Sequence, residues 1–257
     1  MAAGAVAALL APLGLAAPAL WAMELSAQWI LFVSHWVASL DGAVTPIVQP
    51  GPWVIPLITL AGIWLIVWRS RLRFAAVFPM VFAFGLWAMA ERPQVLISSD
   101  GSLVGLMGTE GRALSVPRGA GFVATNWLQQ DGDLTPQSEA ALRIGFEGPD
   151  SARDFTVAGW RFRALRGKTA AAGLARACAE ADVVILPSSV DPIDPAPTDC
   201  LLIGRQILDR SGALALHVTS TEISLIPARD AARLWLSARP ILADRVLQRP
   251  ERRLAAQ

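Results

Sequence analysis

Two apolar runs, Trp53–Trp68 and Phe74–Ala90, flank the short basic stretch Arg69-Ser70-Arg71-Leu72-Arg73. Each run is about 17 residues, the lower limit for an α-helix crossing the hydrocarbon core of a bilayer. The five residues between them allow only a tight connection, so the pattern predicts an antiparallel helical hairpin in a membrane. Cytoplasmic loops are biased toward Lys and Arg, which places Arg69, Arg71 and Arg73 on the cytoplasmic side. Residues 41–52 and everything after Ala90 are then expected on the outer face.

Charge divides the chain at the same place. Before Arg69 there is no Lys or Arg, and only Glu24 and Asp41 are charged. From Glu91 onward there are 19 basic and 19 acidic residues. The contrast predicts a membrane region over 1–91, an outer-face α/β domain over 92–240 and a basic tail over 241–257 that frays. Balanced charge in the domain argues against a broad electrostatic footprint for nucleic acid.

Two more helices are expected in the membrane region, beside those at about 53–68 and 74–90. Ala2–Trp21 reads as a spanning helix bent by Pro12, Gly14 and Pro18, which are tolerated where neighbouring helices re-satisfy the backbone. It lacks the basic n-region of a secretory signal, and its abrupt apolar start predicts a piece of a larger protein. Met23–Leu40 reads as a separate amphipathic helix. Leu25, Trp29, Phe32, Trp36, Val37 and Leu40 fall on one side, and the polar stripe Glu24, Gln28, His35 and Ser39 on another. It fits either the interface plane or a span whose stripe lines a water-filled path.

In the outer domain, short β-rich runs at 95–98, 103–107 and 113–116 predict a three-stranded meander. Ala120–Gln130 reads as a helix carrying Phe122, Trp127 and Leu128 inward, followed over 133–150 by loop with one helical turn. Phe155–Val157 and Trp160–Leu165 predict a hairpin across Ala158-Gly159, with Trp160, Phe162 and Ala164 alternating against Arg161 and Arg163. Thr169–Ala181 is an Ala-rich helix with a Thr cap, and Val183–Leu186 a buried strand. Leu201–Ile203, Ala213–Val218 and Glu222–Ile226 read as strands, with a helical turn at Arg205–Arg210 and a helix over Ala228–Leu236. Alternation of strand and helix favours an α/β layered domain.

Chemistry-bearing clusters are sparse. His217 is the domain's one histidine and lies in an apolar strand, which suits a structural role better than a metal ligand. Ser188 and Ser189 follow a buried strand near Asp191, Asp194 and Asp199, but no nucleophile elbow surrounds them. Arg161, Arg163, Arg166 and Lys168, interleaved with Trp160 and Phe162, are the candidate contact for single-stranded DNA; the plainer reading is a solvated strand face. Cys178 and Cys200 are the only cysteines, and an oxidising outer compartment would favour a disulfide between them.

The membrane helices, the amphipathic helix, the loop DGAVTPIVQPGPW and the β-rich outer domain together resemble the C-terminal part of ComEC-type DNA-uptake proteins. In that family the C-terminal domain is metallo-β-lactamase-like, with an Ala-Asp strand leading into a Pro-His-His-Gly-Ser metal loop. Here Ala181-Asp182-Val183-Val184-Ile185-Leu186 leads into Pro187-Ser188-Ser189-Val190-Asp191. Ser188 and Ser189 stand where the histidines are expected, Val190 stands where the glycine is, and the His-x-His-x-Asp-His motif is missing. The resemblance therefore implies transmembrane helices followed by a β-rich, degenerate metallo-β-lactamase-like domain, with no metal, no cofactor and no enzymatic activity. It further implies a part of an inner-membrane channel for uptake of single-stranded DNA in natural transformation. The outer domain would be periplasmic, and the partners would be the membrane, single-stranded DNA and the rest of the channel or other competence proteins. Two alternatives stand beside it: a membrane-anchored periplasmic binding or assembly module, and an outer-face metal-dependent nuclease.

Overall fold

The computed structural model describes residues 4–5, 7–8, 11–40, 42, 45–167, 170–190, 200–229 and 246–248. The chain divides into two compact units, Met1–Pro46 and Ile47–Gln257. The first unit is built on α1 (Ala17–Ala38, 22 residues). The expected break between a helix over 2–21 and another over 23–40 is not found: α1 runs through it. Pro18 sits at the first turn of α1, where its missing N–H costs nothing, so it starts the helix instead of bending one. The chain turns earlier, after a 3-10 turn at Ala11–Leu13, at Gly14 with φ +70°.

The second unit begins with the hairpin of α2 (Val54–Val67) and α3 (Val77–Ala88). Its helices are shorter than the expected 17 residues, at 14 and 12. Arg71–Ala76 is a 3-10 segment that leads into α3, so part of the expected basic loop is helical. Pro79 is the third residue of α3 and has no N–H to give the turn before it. Continuous helical backbone over Arg71–Ala88 is 18 residues with a mean hydropathy of 1.4, the one described stretch long and apolar enough to cross a membrane. Among the described residues, therefore, one of the three expected spans meets that test of length and composition. The hairpin packs through small side chains: Ala61, Ala76 and Ala83 are buried, while Ile66 and Phe78 are 80% and 79% exposed. The Trp64 indole donates to Leu72 O at 3.2 Å and stacks on Trp68.

The α/β region that follows is a sandwich of two sheets. β1 (Val95–Ile97), β2 (Val104–Gly108) and β3 (Gly111–Leu114) form the expected meander. Then come α4 (Gly121–Gln130), α5 (Gln137–Ala140), β4 (Ala152–Val157), β5 (Trp160–Leu165), α6 (Leu174–Glu180) and β6 (Val183–Ile185). β7 (Leu201–Ile203), α7 (Arg205–Ser211), β8 (Leu214–Val218), β9 (Glu222–Pro227) and β10 (Val246–Gln248) complete it. One antiparallel sheet has the order β10-β9-β8-β1-β2-β3, and a mixed sheet has the order β4-β5-β6-β7. β4 and β5 are antiparallel, while β5, β6 and β7 are mutually parallel.

The sheets meet face to face over Val95, Ile97, Phe155, Phe162, Ile185 and Leu216. Outside the first sheet lie Ala124, Trp127 and Leu128 of α4 with Ala140 of α5. Outside the second lie Leu174, Ala177 and Cys178 of α6. Helix, sheet, sheet, helix is therefore the order of layers.

Four expectations for this region change. Phe122 is 84% exposed: the buried positions of α4 are 124, 127 and 128, and position 122 falls on the opposite face at 100° per residue. The helix expected from Thr169 begins at Leu174, and Thr169 itself lies outside the described residues. Ala228 and Arg229 are not helical, and the remainder of the helix expected there lies outside the described residues. Finally, Val246–Gln248, expected to fray with the tail, pairs with the edge of β9, which otherwise offers an open row of backbone donors and acceptors.

Candidate functional site

The loop after β6 is the position the sequence singles out for chemistry. β6 is fully buried, and its exit is closed by the turn between β1 and β2. Ser188 N donates to Asp100 O at 2.8 Å. A Cβ on Gly101, whose φ is +68°, would lie 2.6 Å from Leu186 O, so only glycine lets the two segments touch. The Asp100 carboxylate is used inside its own turn, accepting from Ser98 Oγ at 2.5 Å and from Ser102 N at 3.1 Å. Burial pushes this carboxyl up, but the hydrogen bonds from Ser98 and Ser102 outweigh it and hold it below its usual value. Among the described residues there is no group of three or more His, Cys, Asp or Glu side chains that could hold a metal ion. Ser188 and Ser189 offer only hydroxyls, and Asp191, Asp194 and Asp199 lie outside the described residues. His217 sits in β8 opposite Ser224.

The arginine row lies on the outer face of β4 and β5. Ala158 and Gly159 both have positive φ, +48° and +82°, which fits the two-residue turn joining the strands. That turn fixes the register, setting Asp154 opposite Arg163. Arg163 makes a two-pronged pair with Asp154 at 2.5 and 2.7 Å and reaches Glu180 at 2.5 Å. Asp154 above all, then Glu180, raises the Arg163 guanidinium pKa. Arg163, then Arg176, lowers that of Glu180. Arg161 lies on the same face, 56% exposed, with its Nε 3.9 Å from Asp182. Arg166 lies past the end of β5, its Nη2 near Gly119, and Lys168 lies outside the described residues. The cleft along this face, about 400 Å³, is lined by Glu147, Asp154, Glu180, Arg161 and Arg163. It presents three carboxylates to two guanidiniums.

Cys178 and Cys200 form a disulfide with Cα atoms 5.0 Å apart, joining the end of α6 to the start of β7. On α1 the Gln28 amide donates to Glu24 at 3.2 Å, and the His35 ring and Ser39 hydroxyl bond to the helix backbone. In the hairpin, the Arg73 guanidinium lies 4.9 Å from the Phe74 ring centre.

Two ion pairs were not marked by sequence pattern. Arg112 is 1% exposed and pairs with Asp131 at 2.5 Å while donating to Pro93 O. Arg143 pairs with Asp133 at 2.6 Å and donates to Arg112 O and Thr135 Oγ1. Burial raises the Asp133 carboxyl, and the bonds from Arg143 and Thr135 bring it below its usual value. An arginine within a short apolar strand, Arg112 between Gly111 and Ala113, was the available signal. No protein-family model matches this chain, and neither a curated protein nor a solved structure matches it.

Proposed function

We propose that this chain is a membrane-embedded part of a DNA-uptake channel resembling the ComEC type, with a non-catalytic outer domain. The observation that carries the membrane half is the hairpin: Ile55, Ile66, Phe78 and Phe82 are exposed while Ala61, Ala76 and Ala83 are buried. An exposed apolar surface of that extent is not left to water, and helices in lipid pack through small residues. In this reading the arginine-bearing connection is cytoplasmic and the α/β region lies in the periplasm of a bacterial inner membrane. The Cys178–Cys200 disulfide supports that side independently, because such bonds persist in oxidising compartments. The facing sheets with helices outside support the metallo-β-lactamase-like interpretation. Ser188 and Ser189 at the exit of β6 support a domain without that family's metal chemistry. Transport of single-stranded DNA rests on the resemblance.

A second reading is a membrane-anchored periplasmic assembly module that moves no DNA. The neutralisation of Arg163 by Asp154 and Glu180 favours it, because the arginine row then offers phosphate mainly Arg161 and Arg166. Deleting the gene and measuring internalised single-stranded DNA decides between them. Loss of uptake supports the channel, and normal uptake overturns it in favour of the assembly module.

A further inference from the structure

The chain leaves α3 at Ala88 and enters β1 at Val95, so the start of β1 marks the end of the sandwich nearest the hairpin. Val95 is paired with Leu106 near the end of β2, which puts the turn between β2 and β3 at that same end. Arg143 braces the turn, donating to Arg112 O at 2.9 Å and pairing with Asp133. Next to Asp133, a Cβ on Gly132 would lie 3.1 Å from the backbone of Ile47 and Val48. Gln49 N donates to Gln130 O at 2.9 Å, and the Trp87 indole donates to Val48 O at 2.8 Å. The segment 130–135 is thereby fastened to the outer end of the hairpin.

Leu134, Leu142 and Ile144 surround that brace and are 52%, 83% and 88% exposed. Among the described residues the sandwich's other large exposed apolar side chains are Phe122 and Ile226. Phe122 is eight residues from Gln130 along α4, about 12 Å toward the far end. Apolar tips are thus gathered where the domain meets the hairpin, and Arg143, the cation that braces the turn, is already paired.

We propose that Leu134, Leu142 and Ile144 insert into the outer leaflet of the bilayer and seat the domain on the membrane surface. This rests on the hairpin being membrane-embedded. Its occupant is a lipid surface because the patch is continuous with the outer end of the hairpin, where Trp53, 72% exposed, stands at the level of an interfacial aromatic belt. With Arg143 neutralised, zwitterionic lipid suffices.

The test uses the full chain in phosphatidylcholine vesicles, with an environment-sensitive fluorophore on single introduced cysteines. The native pair is held in its disulfide. Ile144→Cys and, as a second probe, Leu142→Cys are compared with Phe122→Cys on the far end and Val81→Cys on α3. The expected result is that shallow nitroxide lipids remove most of the emission at 144 and 142 and little at 122, while deep nitroxides quench position 81. Quenching at 81 with 142 and 144 as water-exposed as 122 overturns the seating and leaves the hairpin reading intact. No quenching at 81 overturns both. Emission at 144 that is blue-shifted yet unquenched by lipid nitroxides means a protein surface covers the patch, and also overturns the proposal.

Discussion

In the sandwich large side chains fill the space between the sheets, Trp160 and Phe162 at 1% exposure and Ile97 at 0%. In the hairpin Val54, Ala61, Ala76 and Ala83 are hidden, while Ile66 and Phe78 are left about four-fifths exposed. Water drives large apolar groups together in the first case. In the membrane setting proposed for the hairpin that drive would be missing, since lipid is as apolar as the side chains, and close backbone approach at small residues would take its place. On that proposal one chain carries two packing rules, separated by the six residues between Ala88 and Val95.

The sharpest way to break this contrast is to shorten the same residue type in both regions. Phe162→Ala opens the core between the sheets and should cost about 3–5 kcal/mol. Phe78→Ala removes a ring with few protein partners and should stay within about 0.5 kcal/mol. Guanidinium unfolding of the detergent-solubilised chain measures both; similar losses would mean the hairpin is packed like a soluble core. Reducing the disulfide comes next. Its cysteines are 22 residues apart in sequence, and opening a loop of that size should cost about 3 kcal/mol. The melting transition of the sandwich should fall in reductant while the helical signal of the hairpin persists.

How much of this was legible follows the same division. The β4–β5 hairpin could be read because Ala158-Gly159 announces a two-residue turn. That turn fixes the register, so Asp154 opposite Arg163 was implicit once the turn was placed. The meander of β1, β2 and β3 was legible from Asp100-Gly101 and Gly108–Gly111. The limits of the apolar helices were not, because an unbroken apolar run does not say where α-helix gives way to 3-10 turns; Pro79 and Pro18 decide that through single missing donors. Phe122 misled because hydrophobicity was read without its phase on the helix. The brace of Arg143, Asp133 and Arg112 joins residues from a loop and a strand that no local period connects.

A smaller effect tests the hairpin from its own side. Ala83 is fully buried, so Ala83→Leu should overpack the contact between α2 and α3 by about 1–3 kcal/mol. Val81→Leu, at an outward position 64% exposed, should be neutral. Amide hydrogen exchange in micelles reads the difference: faster exchange in both helices for the first variant and none for the second. Equal protection in both variants would mean that the small-residue seam does not hold the hairpin together.

The smallest effect separates the regions by acid. Asp100 and Asp133 both have carboxyl pKa values held below 3.8, the ordinary value for the group. Their native hydrogen bonds therefore contribute stability that is fully present above about pH 4, and that is lost as pH falls from there through the lowered native values. Each contribution is about 1 kcal/mol or less once solvent screening of these partly exposed groups is counted. Residues 53–90 contain no Asp, Glu or His, so the hairpin has no carboxylate to protonate. Melting at pH 3 and pH 6 in the same detergent should lower the transition of the sandwich and leave the helices of the hairpin unmoved. In Asp133→Asn the acid shift should shrink, because one of the carboxyls held low no longer titrates. A hairpin that melts together with the sandwich at pH 3 would show that the two packing rules do not act independently.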